Sequence, residues 1–198
     1  MATLHRLLAS DGTAGHPHAA HLAAPKAATR DLGDAVHALC TVHGHHPDLL
    51  TIAAAATEAA TPRDWLTLAG LGFAADRAAL AQLVAAAGPL PSTPGHAESA
   101  AALATERQTL ELLARSERTG VAWGAAAALV SDWHVVRAIM ARAADRFGVT
   151  LSLPPLPDPA PLIATAPERA AAFGAQQLLA QHRGLWGLLE ARSSARTH

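Results

Sequence analysis

Apolar side chains recur at helical spacing along nearly the whole chain, and no stretch alternates with a period of two for more than a few residues. Leu32, Val36, Leu39 and His43 fall on one stripe, and Trp65, Leu68, Gly72, Asp76, Ala79 and Leu83 on a second. Glu106, Leu110, Leu113 and Glu117 share a face of the next helical stretch, followed by Trp123, Ala126, Val130, Trp133, Arg137 and Met140. Ala171, Ala175, Leu178, His182, Leu185 and Leu189 form a near-heptad seam towards the C-terminus. The pattern predicts an all-α fold, a single up-and-down bundle of four to six helices.

Local signals divide the chain. A first helix runs from near Lys26 to about residues 42–44 and is broken by His46-Pro47, because the residue before proline avoids the α region. Asp48 caps a short helix, and Thr61-Pro62-Arg63-Asp64 opens a long one that ends at Gly88-Pro89. PLPSTPG (89–95) reads as a linker, and Gly120 and Gly124 leave open whether residues 96–148 form one bent helix or two. LSLPPLPDPAPL (151–162) is too rich in proline for a helix or a central strand and reads as extended surface chain. Thr165-Ala166-Pro167-Glu168 caps the last helix, which ends near Glu190. The expected organisation is a loosely ordered segment over 1–25, a bundle domain over 26–192 and a frayed tail over 193–198.

Composition narrows the function classes. Alanine supplies about a quarter of the residues, which favours closely packed helices. Fifteen Lys and Arg stand against sixteen Asp and Glu, a net charge of −1 with no basic block, so a nucleic-acid partner is not expected. One cysteine, Cys40, allows no intramolecular disulfide and fits a reducing cytoplasm. The N-terminus lacks the apolar core of a secretory signal, and charges interrupt the longer alanine runs. A soluble protein without a membrane partner follows, with the ligand unknown and self-association into a homo-oligomer left open.

Candidate chemistry reduces to polar residues on apolar faces: His43, Asp76, Glu106, Glu117, Arg137 and His182. An inward Arg137 meets a carboxylate bidentately or snorkels out, and a buried Asp76 has to be paired or protonated. The Asp34/His37 pair falls on the side of its helix away from the main stripe, while histidines 43, 45 and 46 lie where a helix C-terminus favours positive charge. These residues predict a buried polar network in a non-catalytic scaffold or interaction module, with no catalytic residue, metal or cofactor. The alternative is a metal-binding oxidoreductase using His43, Asp76, Glu106, Glu117 and His182. It lacks the E-x-x-H motif of ferritin-like centres, which occurs nowhere in the chain. Cys40 sits in mid-helix apolar company, and no nucleophile elbow, Walker loop or dinucleotide fingerprint is present.

The segments CTVHGHHP (40–47), PLPSTPGHAES (89–99) and GAAAALVSDW (124–133) resemble an uncharacterised bacterial all-helical family of unknown function. The resemblance implies one helical domain and carries no chemistry; the likeness to ferritin-like bundles is architectural.

Overall fold

The computed structural model describes residues 2–90 and 95–196. Among the described residues the chain forms nine α-helices and no strand. They are α1 (Ala2–Asp11), α2 (Pro17–Ala23), α3 (Thr29–His43), α4 (Leu49–Ala55), α5 (Ala60–Ala87), α6 (His96–Ala114), α7 (Val121–Phe147), α8 (Ala160–Thr165) and α9 (Glu168–Ala195). The all-α reading holds. Helices outnumber the expected four to six because α1, α2, α4 and α8 fold within segments that read as joints.

Three boundaries differ from the sequence reading. The segment over 1–25 is ordered: Leu4, Thr13 and Leu22 are buried, and a turn of 3-10 helix at Thr13–Gly15 joins α1 to α2. The expected frayed tail is helical through Ala195, because Arg196 pairs with Asp31 and Asp34 on α3; residues 197–198 lie outside the described residues. Residues 96–148 form two helices separated by a turn over 115–120. Of the linker over 89–95, positions 91–94 lie outside the described residues.

The core is organised around α7, which buries residues on almost every side. Its closest neighbour is α9, and small residues make that approach possible. A β-carbon on Gly124 would lie 1.9 Å from the Ala171 carbonyl oxygen, and one on Gly174 would lie 1.9 Å from that of Val121. Backbone therefore rests on backbone at this crossing. Further along, Asp132 of α7 bonds His182 of α9, so residue numbers climb together on both helices. The two helices run in the same direction. The connection over 148–167 must return along the bundle, a departure from simple up-and-down alternation. Its proline stretch passes over α5, where Trp65 Nε1 donates to the Asp158 carbonyl at 2.6 Å and Leu156 packs beside Gly72.

By length and composition α5 is the one described helix apolar enough to cross a membrane, yet it packs on α3, α4 and α7. Leu68, expected on its inward stripe, is instead 57 % exposed, and neighbouring Leu71 is 70 % exposed. The buried positions are Pro62, Trp65, Leu66, Ala69, Phe73, Asp76, Ala79, Leu80 and Leu83, a face rotated away from Leu68.

Gly124→Ala and Gly174→Ala are each expected to destabilise the fold by about 1–3 kcal/mol or more, since overpacking meets backbone rather than a movable side chain. Gly187→Ala, on the same α9 but with open space at that position, should stabilise by about 0.5–1 kcal/mol through helix propensity. Chemical denaturation of the three variants distinguishes these outcomes.

Candidate functional site

Two polar groupings lie side by side in the core. In the first, the Arg137 guanidinium of α7 donates to both Asp76 oxygens of α5, Nε to Oδ1 at 2.8 Å and Nη2 to Oδ2 at 2.6 Å. Asp76 is fully buried, whereas the arginine reaches partly towards solvent. The fork matches the carboxylate in geometry as well as charge, so the pair fixes how α5 and α7 face each other.

About one turn away, around Trp133, is the second grouping. Asp132 accepts three hydrogen bonds: from the Thr13 amide at 2.8 Å, the Thr13 hydroxyl at 2.5 Å and His182 Nδ1 at 2.7 Å. Trp186 Nε1 donates in turn to the Thr13 hydroxyl at 2.9 Å. Burial alone would push the Asp132 carboxyl up; the bond and charge of His182 and both bonds from Thr13 outweigh it and hold the carboxyl below its ordinary value. With Asp132 ionised, His182 Nδ1 carries a proton and donates. Nε2 is then left as the ring's unpartnered nitrogen.

His43 and Glu106 complete the centre. The His43 ring lies 5.1 Å from that of His182 and 4.9 Å from that of Trp133, both edge-on. Burial, reinforced by repulsion from His182, pushes His43 well below its ordinary value. It is a neutral core imidazole, which corrects the reading of His43 as a cation at a helix C-terminus. Burial pushes Glu106 up to about 7, against a downward pull from His182. His43 Nε2, His182 Nε2, Glu106 Oε1 and Trp133 Nε1 are buried without a hydrogen-bond partner.

Of the six residues singled out in the sequence, the structure joins Asp76 to Arg137, sets the His43 and His182 rings about Trp133, and puts Glu106 within electrostatic reach of His182. Glu117 is in neither group. The helical stripe that placed it inward stops at Ala114, and Glu117 is exposed on the following turn. Asp34 also departs from expectation: the C-terminal end of α9 covers it, and Arg192 and Arg196 pair with it. His37, its i+3 neighbour, bonds the Gly88 carbonyl at 2.8 Å.

Sequence reasoning missed Asp132 and Thr13. Asp132 sits beside Trp133 in a helix buried on most sides, so a single-stripe reading cannot mark it as inward. Thr13 belongs to a segment without helical periodicity. A Gly-Thr step next to a long-range carboxylate leaves no local signal. Asp48, recognised as an N-cap, does cap α4 at 2.8 Å from the Thr51 amide and additionally pairs with Arg77. Cys40 is half-buried, and burial pushes its thiol up, away from the reactive thiolate.

Among the described residues no group of three His, Cys, Asp or Glu side chains is placed to hold a metal ion. Fold and site together define an all-helical bundle with a buried carboxylate–histidine centre. The chain belongs to a family of unknown function, DUF6975, which matches residues 8–197. No curated protein and no solved structure matches the chain.

Arg137→Met strands the Asp76 carboxylate in the core and is expected to cost about 3–5 kcal/mol. An unchanged denaturation midpoint would mean that the pair does not hold the helices. Glu106 has its own pH signature. Its folded value of about 7 lies above the ordinary 4.5, so the folded state retains a proton that the unfolded chain releases. Its contribution is whole at acid pH and is lost as pH rises through about 7. Glu106→Gln should therefore change stability little near pH 5 and raise it by up to about 3 kcal/mol near pH 8. Unfolding curves for the variant and the parent chain at the two pH values check both sign and size.

Proposed function

We propose that the chain is a non-catalytic helical scaffold or interaction module. One observation supports this above all: three buried aspartates are spent on partners from other elements. Asp76 is committed to Arg137, Asp132 to Thr13 and His182, and Asp34 to Arg192 and Arg196. Each pairing sets the register of two elements at little net gain in stability, the expected behaviour of polar pins in an alanine-rich core. Apolar side chains left outside, Leu68 and Leu71 of α5 beside the proline stretch, support the interaction part of the reading. A bacterial cytoplasmic setting fits the single half-buried thiol.

The ferritin-like oxidoreductase alternative asks Asp76 and Glu117 to be ligands. Asp76 is held by an arginine, whose fixed charge opposes a cation, and Glu117 faces outward. Elemental analysis of untagged protein, purified without chelators, tests the choice. No iron, manganese or zinc near one equivalent per chain is expected. A stoichiometric metal lost in both His43→Ala and His182→Ala would replace the scaffold by a metalloenzyme.

A further inference from the structure

A long helix on the surface of a bundle normally carries charged residues on its outer face. The outer face of α5 carries none. Between Asp64 and Gly88 its charged residues are Asp76 and Arg77 alone. Asp76 is buried against Arg137, and Arg77 is drawn to Asp48 at the start of α4. What remains outside is Leu68, Leu71, Ala74, Ala78, Ala81 and Ala85, with Thr67 and Gln82 as uncharged polar neighbours. The stretch of α5 that is apolar enough to cross a membrane is only 33 % buried, so it is not a core helix. By contrast α9, of the same length, exposes Arg169, Arg183 and Glu190.

We propose that this face is where two copies of the chain pair, α5 against α5, antiparallel about a two-fold axis. The inference rests on the interaction half of the proposed function and names the partner of that same apolar surface. An uncharged face meets its own copy without burying a charge, the costliest fault in a two-fold contact. Its bulk is also uneven, with Leu68 and Leu71 at one end and alanines at the other. Leu71, Ala78 and Ala85 follow at heptad spacing along its middle. An axis beside residues 74 and 75 sets Leu71 of each copy against Ala78 of the other. Each leucine end then fills the room left by an alanine end, on both halves of the contact at once. A parallel pair would set leucine on leucine and hold the alanine ends apart.

Size sets the strength of the pairing. The face is about 30 Å long and about 10 Å across. A groove of about 500 Å³ between Leu68, Leu71 and the proline stretch at 154–157 extends the apolar surface on one side. Two such surfaces bury on the order of 1,000 Å² together, the lower end of specific interfaces. The dimer is therefore weak and reversible. Arg63 and Asp64 come level with the last turn of the other copy, at the rim of the contact, where charge stays in water.

Sedimentation of the untagged full chain over a wide range of concentration tests this, and a monomer–dimer equilibrium is expected. Leu71→Lys and Ala78→Glu each put a charge into the contact and should weaken it about tenfold or more. Their combination sets opposite charges against each other across the axis and should recover most of the parent association. Both positions are exposed, so the variants should keep the parent's unfolding midpoint, and loss of dimer is then not loss of fold. Monomer at every concentration overturns the proposal, as does a dimer that Leu71→Lys leaves intact. Weakening by both single variants without recovery in the combination overturns the antiparallel pairing. A monomer that instead collects on neutral phospholipid vesicles, and ceases to in Leu71→Lys, overturns it in favour of a lipid surface. Elemental analysis is independent of all these results: the pairing can fail while the scaffold reading stands, and a stoichiometric metal can refute that reading while the dimer remains.

Discussion

The closest constraint in this protein is the crossing of α7 and α9 at Gly124 and Gly174, where each helix occupies the space of the other's absent β-carbon. Side chains cannot cushion such a contact, so it fixes separation and register together. About two turns further along both helices, that register brings Asp132 to His182. Displacing the crossing by one residue would rotate each side chain by about a quarter turn or more and separate the pair. The polar centre therefore depends on two glycines that are themselves remote from it.

Alanine abundance gives this constraint its wider meaning. Small side chains let helices approach closely but bury little apolar area each, and they interdigitate less distinctively than Leu or Phe. Packing alone then discriminates poorly between neighbouring registers. Charged and hydrogen-bonded pairs supply the missing discrimination: a mispaired buried carboxylate costs several kcal/mol, while the correct pair is nearly neutral. Asp76–Arg137 fixes α5 against α7, Asp132 fixes α9 and the N-terminal turn against α7, and Asp31 and Asp34 fix the end of α9 against α3.

Helical class, the caps at Asp48 and the inward turn of Asp76, Arg137, His43 and His182 were all legible in the sequence, because each follows from local periodicity. That an inward Arg137 meets a carboxylate was legible too, since an arginine in an apolar stripe has few other resolutions, but which carboxylate it meets depends on how α5 and α7 face each other. What periodicity could not supply was anything dependent on a second element. Leu68 obeyed the stripe yet faces out, because the long proline connection covers only part of α5. Asp34 broke the stripe yet is buried, because α9 extends further than its capping signals indicated. Thr13 became a central residue only because the α7–α9 pair offered Asp132 to it.

Two buried carboxyls that feel the same histidine are shifted in opposite directions, and the reason is the number of donors. Asp132 has three hydrogen bonds, enough to overcome the cost of burial and stay ionised. Glu106 is buried to a similar degree with one oxygen unpartnered, and desolvation wins. The difference gives the centre a direction. Negative charge is anchored at Asp132, where His182 Nδ1 donates, and the raised proton affinity is at Glu106. A core serving packing alone would gain by replacing Glu106 with an apolar residue, since an unpaired buried acid opposes folding at neutral pH. Burial with too few donors is what sets Glu106 apart from the paired aspartates of the same core.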